Sequence, residues 1–128
     1  MNADGVHLGQ DDLPHAEARQ LMGPDKLIGR STHRLEQLLE AQQDGADYLG
    51  VGPVYATATK ADRTPAGLDW VRQAEHSAKV PWFAIGGINS ANVSDVVAAG
   101  AARVAVVSAI MGADDPAAAS RQLLQLLS

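Results

Sequence analysis

The sequence predicts an α/β fold on a parallel sheet, in one domain spanning residues 1–128. Three observations carry that prediction. Short, nearly continuous apolar runs recur along the chain, as expected of strands covered on both faces. Helix-like stretches separate them. Finally, "NADGVHLG", "GADYLGVG" and "GAARVAVV" each pass from a small-residue turn into a strand, about one βα unit apart. Strand, helix and strand repeated with short turns imply parallel strands joined by right-handed crossovers.

The elements follow in order. Strands are expected at Gly5–Leu8, Leu27–Gly29, Tyr48–Val54, Trp82–Ile85 and Arg103–Ile110. Arg34–Asp44 reads as a helix with Leu35, Leu38 and Leu39 on one stripe, and Asn92–Ala99 does the same with Val93, Val96 and Val97. Pro14 and Pro116 follow Asp-rich stretches, where a first-turn proline and an acidic N-cap are expected. Gly45 and Gly100 are placed to close their helices. The one long connection is Tyr55–Gly67, and long loops in compact domains carry function or stay disordered. Five such units fit either an open doubly wound sheet or part of an eight-stranded barrel. The first strand begins so near Met1 that the chain reads as starting in mid-fold.

Composition narrows the function classes. A length of 128 residues suits one domain. With 46% apolar residues but only 4% aromatic, the core must be built from Ala, Val, Leu and Ile. A net charge of −5 argues against a nucleic-acid surface, which normally shows a basic stripe. No apolar run approaches the roughly 20 residues of a membrane span, and no charged-then-apolar leader precedes the first element. Zero cysteines exclude disulfides, zinc thiolates and a cysteine nucleophile. A cytoplasmic protein is expected.

In either architecture ligands sit at the carboxyl ends of the strands. Those ends carry Gly9-Gln10-Asp11-Asp12, Ser31-Thr32-His33, Thr57-Ala58-Thr59-Lys60, Gly86-Gly87-Ile88-Asn89 and Val107-Ser108-Ala109-Ile110. A glycine pair most often only makes a tight turn. Paired with Ser108 one unit later, Gly86-Gly87 is better read as half of a phosphate site made from backbone N–H groups and a helix start. Asp11 and Asp12 suit a hard cation such as Mg²⁺ through carboxylate oxygen. They suit equally the N-cap of the helix at Pro14.

Ser31 lies near His33, but no Asp completes a triad, so Ser31 reads as a hydrogen-bond donor. His7 is expected to be a core group or one standing behind the site; His15 and His76 are expected on solvated helix faces. Thr57, Thr59 and Lys60, one of only three lysines, form the sharpest cluster. Hydroxyls and an ammonium suit phosphate oxygens. Two anion sites on one rim suggest two phosphorylated substrates, or one with phosphates at both ends.

"ADGVHLGQDD", "GRSTH", "GADYLGVGPVYATATK", "AIGGI" and "VAVVSAI", in this order and spacing, resemble thiamine phosphate synthase. The resemblance implies a (β/α)₈ TIM barrel, here its C-terminal five βα units. It implies a transferase of thiamine biosynthesis that joins a pyrimidine methyl diphosphate to a thiazole ethyl phosphate, releasing diphosphate, with Mg²⁺. By resemblance Asp12 is the Mg²⁺ ligand, and Ser31 meets the pyrimidine or its diphosphate. Thr57, Ala58 and Thr59 bind the thiazole phosphate, Lys60 holds the leaving diphosphate, and Gly87, Val107 and Ser108 complete the phosphate cradle. Lys60 and Ser31 are the residues expected to act in catalysis.

The family also has three βα units before the first strand seen here, with a Gln/Arg/Lys cluster and another acidic Mg²⁺ ligand, and no position of this chain matches them. The chain is therefore expected to be much less active than a full barrel, and to associate through exposed strand edges. Two other readings stand beside this one. A thiazole tautomerase would share the cradle and use the histidine of "GRSTH" as a proton shuttle, whereas a non-catalytic phosphate-binding fragment would keep only the cradle.

Overall fold

Five parallel strands form one sheet in the order β1-β2-β3-β4-β5: β1 (Gly5–Leu8), β2 (Leu27–Thr32), β3 (Tyr48–Val51), β4 (Trp82–Ile85) and β5 (Val104–Ala105). The computed structural model describes residues 2–56 and 66–128. Among these, β1 and β5 each have a strand neighbour on one side only. Helices α1 (His15–Met22), α2 (Leu35–Gln43), α3 (Gly67–Ser77), α4 (Val93–Ala98), α5 (Ser108–Met111) and α6 (Pro116–Leu127) make the crossovers and the C-terminal segment. The fold is α/β, five consecutive βα units of a barrel.

Alternation along the strands separates two faces. Leu8, Ile28, Leu49, Val51, Trp82 and Ala84 are buried, and they pack against Ala18 of α1, Leu38 and Ala41 of α2, Trp70 and Val71 of α3, and Val93 and Val96 of α4. Each buried Val, Leu or Ile among them contributes about 1.5–3 kcal/mol by leaving water. The other face is different. His7, Leu27, Ser31, Tyr48, Gly50, Phe83, Ile85 and Ala105 line an open trough. Leu27 is 53% exposed and Ile85 40%. The expectation of strands covered on both faces therefore holds for one face only. The apolar runs remain continuous because the residues of the open face are themselves apolar or small.

The expected helix signals are present. Gly45 has φ 94° and Gly100 has φ 122°. After α2, Gly45 N–H bonds Gln42 O and Ala46 N–H bonds Ala41 O; after α4, Gly100 N–H bonds Val97 O and Ala101 N–H bonds Val96 O. Both are Schellman endings, which satisfy carbonyls left open by the helix and favour glycine at the left-handed position. Asp115 caps α6 by accepting from Ala118 N–H, with Pro116 in the first turn.

Other expectations need correction. Leu39 of the predicted α2 stripe is 50% exposed, because the buried stripe runs through Leu38 and Ala41. Strand β3 ends at Val51 and not Val54, while β2 continues to Thr32. The apolar run Arg103–Ile110 holds a strand of only two residues, and Ser108 opens α5. Pro14 is itself the residue before α1 and no side chain caps that helix. His15 is 7% exposed rather than solvated, set among Arg19 of its own helix and Arg30, Asp44 and Asp47 of neighbouring elements. His76 is exposed, as expected.

Candidate active site at the strand ends

The carboxyl ends of the strands meet around a cavity of about 210 Å³. It is lined by Gly9 after β1, Ser31 and His33 at the end of β2, Gly52 and Pro53 after β3, Gly86 and Gly87 after β4, and Val107 and Ser108 after β5. Four residues singled out from the sequence, Ser31, Gly87, Val107 and Ser108, therefore share one cavity. Thr57, Ala58, Thr59 and Lys60 lie outside the described residues.

The rim is built by close backbone approach. Val54 N–H bonds Ile85 O and Tyr55 N–H bonds Gly86 O, drawing the segment after β3 against the turn after β4. Gly86 has φ 108° and Gly87 φ 65°. A Cβ on Gly86 would lie 2.5 Å from Pro53 Cα, and one on Gly87 would lie 2.7 Å from Ala56 O. Both glycines thus meet a steric demand as well as a conformational one. Asn92 secures the same turn: Asn92 Nδ2 donates to Gly87 O at 2.9 Å, and Asn92 Oδ1 accepts from Asn89 N–H at 2.8 Å.

Asp12 stands beside Gly9 at the β1 corner. Its Oδ2 accepts from Gly9 N–H at 2.6 Å, so it ties the loop back on itself and leaves α1 uncapped. The side chain is exposed. Among the described residues no group of three or more His, Asp or Glu could hold a metal ion. Mg²⁺ needs no such cage, because it keeps several waters and takes one or two carboxylates beside phosphate oxygens. One exposed carboxylate on the rim fits a share of such a site.

Ser31 is tied to two neighbours through side chain and backbone. Its carbonyl accepts from Gln10 Nε2 at 2.6 Å, and its Oγ lies 2.7 Å from His7 Nε2. His7 Nδ1 lies 3.0 Å from the Tyr48 hydroxyl, and the two rings stack with centroids 5.6 Å apart. Partial desolvation against the Tyr48 ring and the sheet holds the His7 imidazole below its usual pKa, against an opposing pull from Asp12; partial burial also raises the Tyr48 phenol. Of the two expectations for His7, the core one fails, since it is exposed on the open sheet face, while its bond to Ser31 puts it behind the site as the other expected. Tyr48 and Gln10 were not foreseen as partners of this site. The signal for Tyr48 is cross-strand register: His7 pairs with Gly29, and Gly29 with Tyr48.

His33 is anchored differently. Its Nδ1 donates to Gly52 O at 2.7 Å and its N–H donates to Gln37 Oε1 at 2.8 Å.

Residues 1–110 match the family model of thiamine monophosphate synthase. The chain belongs to that family. It is 69% identical over 128 residues to the thiamine-phosphate synthase of Synechococcus sp. (strain WH7803), covering all of this chain and 36% of the relative. Against the thiamine-phosphate synthase of Chloroflexus aurantiacus it is 56% identical over 129 residues, covering all of this chain and 59% of the relative. A solved thiamine phosphate pyrophosphorylase from Pyrococcus furiosus superposes with a TM-score of 0.90 at 42% identity, over 98% of this chain and 60% of that one. This member of the thiamine monophosphate synthase family thus spans little more than a third of the Synechococcus relative and about three-fifths of the other two. No helix of the described residues is long and apolar enough to cross a membrane.

Proposed function

We propose that this chain carries the thiazole-phosphate side of a thiamine phosphate synthase site, which couples a hydroxymethylpyrimidine diphosphate to a thiazole phosphate and releases diphosphate. The observation that carries the reading is the single cavity shared by Ser31, Gly87, Val107 and Ser108. Family membership points the same way.

In this reading the C–O bond to the leaving diphosphate breaks first, and the thiazole nitrogen captures the pyrimidine methyl cation. No protein nucleophile is required. The residues act by positioning and by stabilising charge. Gly87 lets the turn after β4 pack against Ala56 at positive φ and so sets the cavity wall, and Ser108 adds N–H and hydroxyl donors at the start of α5. Ser31 is assigned to the pyrimidine or its diphosphate, and the family resemblance assigns Thr57 and Thr59, outside the described residues, to the thiazole phosphate. The resemblance assigns Lys60 to the leaving diphosphate, a role in which a single lost donor costs roughly 2.7–4 kcal/mol of barrier. Asp12 is the residue that would help hold Mg²⁺, which when bound offsets negative charge on the leaving group.

The same reading assigns the open trough to the remaining strands of a barrel, supplied by further sequence or by a separate chain. Leu27, Phe83 and Ile85 would then be covered and the edges of β1 and β5 paired. The 128-residue chain alone is accordingly expected to turn over far more slowly than the longer relatives. The tautomerase reading is less well supported, because His33 commits Nδ1 to Gly52 O and its Nε2 is buried.

A steady-state assay with both substrates and Mg²⁺ tests the proposal, first on the chain alone and then with a segment supplying the other strands. Coupling restored by the added segment and lost in Lys60→Ala is the expected result. Full-length turnover by the chain alone would contradict the assignment of the trough. Coupling indifferent to Lys60→Ala would contradict the synthase reading.

A further inference from the structure

Three side chains from three adjacent strands meet on the open sheet face beside the cavity. Ser31 Oγ is 2.7 Å from His7 Nε2, and the Tyr48 hydroxyl is 3.0 Å from His7 Nδ1. We propose that they form a one-way hydrogen-bond relay. Tyr48 donates to His7 Nδ1, His7 Nε2–H donates to Ser31 Oγ, and the Ser31 hydroxyl is left to donate to an acceptor atom of a ligand in the strand-end cavity. His7 and Tyr48 are thus positioning residues that set what Ser31 offers.

The direction follows from the chemistry of the three groups. A neutral imidazole has one donor and one acceptor nitrogen, so the two bonds to His7 must run in the same sense along the chain. A phenol is a stronger acid than an aliphatic alcohol, hence the better donor, and its oxygen, drawn into the ring, is the poorer acceptor. Both preferences place the proton on Nε2. The geometry holds the arrangement in place. Gly29 leaves its side of the sheet free for the Tyr48 ring, which a Cβ at Gly29 would strike, and Phe83 supports that ring edge-on at 5.9 Å. Gln10 fixes the Ser31 backbone through Ser31 O, leaving the hydroxyl as the part of Ser31 set by the relay. With the opposite tautomer Ser31 would spend its proton on His7 and could only accept. The relay therefore selects an acceptor-bearing ligand, such as a ring nitrogen or a phosphoryl oxygen.

This inference rests on the proposed function only for the identity of that ligand, and its first test needs none. Long-range ¹H–¹⁵N correlation spectra of the full chain, recorded where His7 is neutral, report which ring nitrogen carries the proton. The relay predicts Nε2–H in the wild type, retention of that tautomer in Ser31→Ala, and loss of the preference in Tyr48→Phe. An Nδ1–H tautomer in the wild type, or no change in Tyr48→Phe, overturns it.

The second test is titration with the pyrimidine diphosphate. His7→Ala should weaken binding by about tenfold, the size expected for one hydrogen bond. His7→Gln, whose amide can still donate toward Ser31, should recover part of that loss. Equal affinity of His7→Ala and wild type overturns the relay. Absence of wild-type binding counts against the assignment of Ser31 to the pyrimidine diphosphate instead, and the tautomer then decides the relay.

Discussion

His33 Nδ1 lies 2.7 Å from the carbonyl oxygen of Gly52, so the residue after β2 holds the first residue after β3. A carbonyl only accepts, which puts the ring proton on Nδ1. Nε2 is buried and has no partner among the described residues. Replacing His33 by Ala would strip a bond from a buried glycine carbonyl. The expected loss is about 1–3 kcal/mol in urea unfolding; unchanged stability would mean the clamp does not matter.

The turn after β4 makes a second prediction. Gly86→Ala combines a positive φ with a backbone neighbour, Pro53 Cα, at 2.5 Å from the new Cβ. Gly23 has a comparable φ of 86° but nothing within 4 Å. Gly23→Ala should show only the conformational cost, on the order of 1–3 kcal/mol, and Gly86→Ala should exceed it. Thermal unfolding of both variants compares them directly, and equal losses would remove the packing argument.

His15 predicts a pH dependence. Burial lowers its pKa below 6.5, helped by Arg30 and Arg19 and opposed by Asp44 and Asp47. The unfolded chain therefore binds the proton more readily. Stability from this group is present above pH 6.5 and is lost as pH falls from there through the folded-state value. His7 shifts in the same direction, so the informative quantity is a difference between proteins. The stability–pH curve of His15→Leu should be shallower than that of wild type over this window. Parallel curves would show that His15 is not held neutral.

The core can be tested where it is tightest. Leu49 is 0% exposed and Leu124 is 64% exposed. Leu49→Ala should cost about 2–5 kcal/mol, while Leu124→Ala should stay within about 0.5 kcal/mol. Chemical denaturation of the pair checks both values, and similar losses would place the core elsewhere.

Much of this was legible in the chain because local chemistry decided it. Gly45 and Gly100 end helices since a left-handed residue is needed there, and Asp115 with Pro116 starts one for equally local reasons. Ser31, Gly87, Val107 and Ser108 could be grouped because parallel βα units bring every strand end to one rim. What stayed hidden depended on partners far along the chain. An apolar run such as Arg103–Ile110 does not reveal that pairing with β4 lasts two residues. The burial of His15 depends on where α1 docks. Linking His7 to Tyr48 and Ser31 needs the register across three strands, and Asp12 chose Gly9 N–H over the helix because of how the corner folds.

Calorimetric titration of the chain with thiazole phosphate tests most directly whether the strand-end cavity takes a phosphate. The account predicts saturable binding that weakens at least about tenfold when Ser108→Asp sets a carboxylate against the phosphate. Binding that is absent in the wild type, or indifferent to Ser108→Asp, would contradict it.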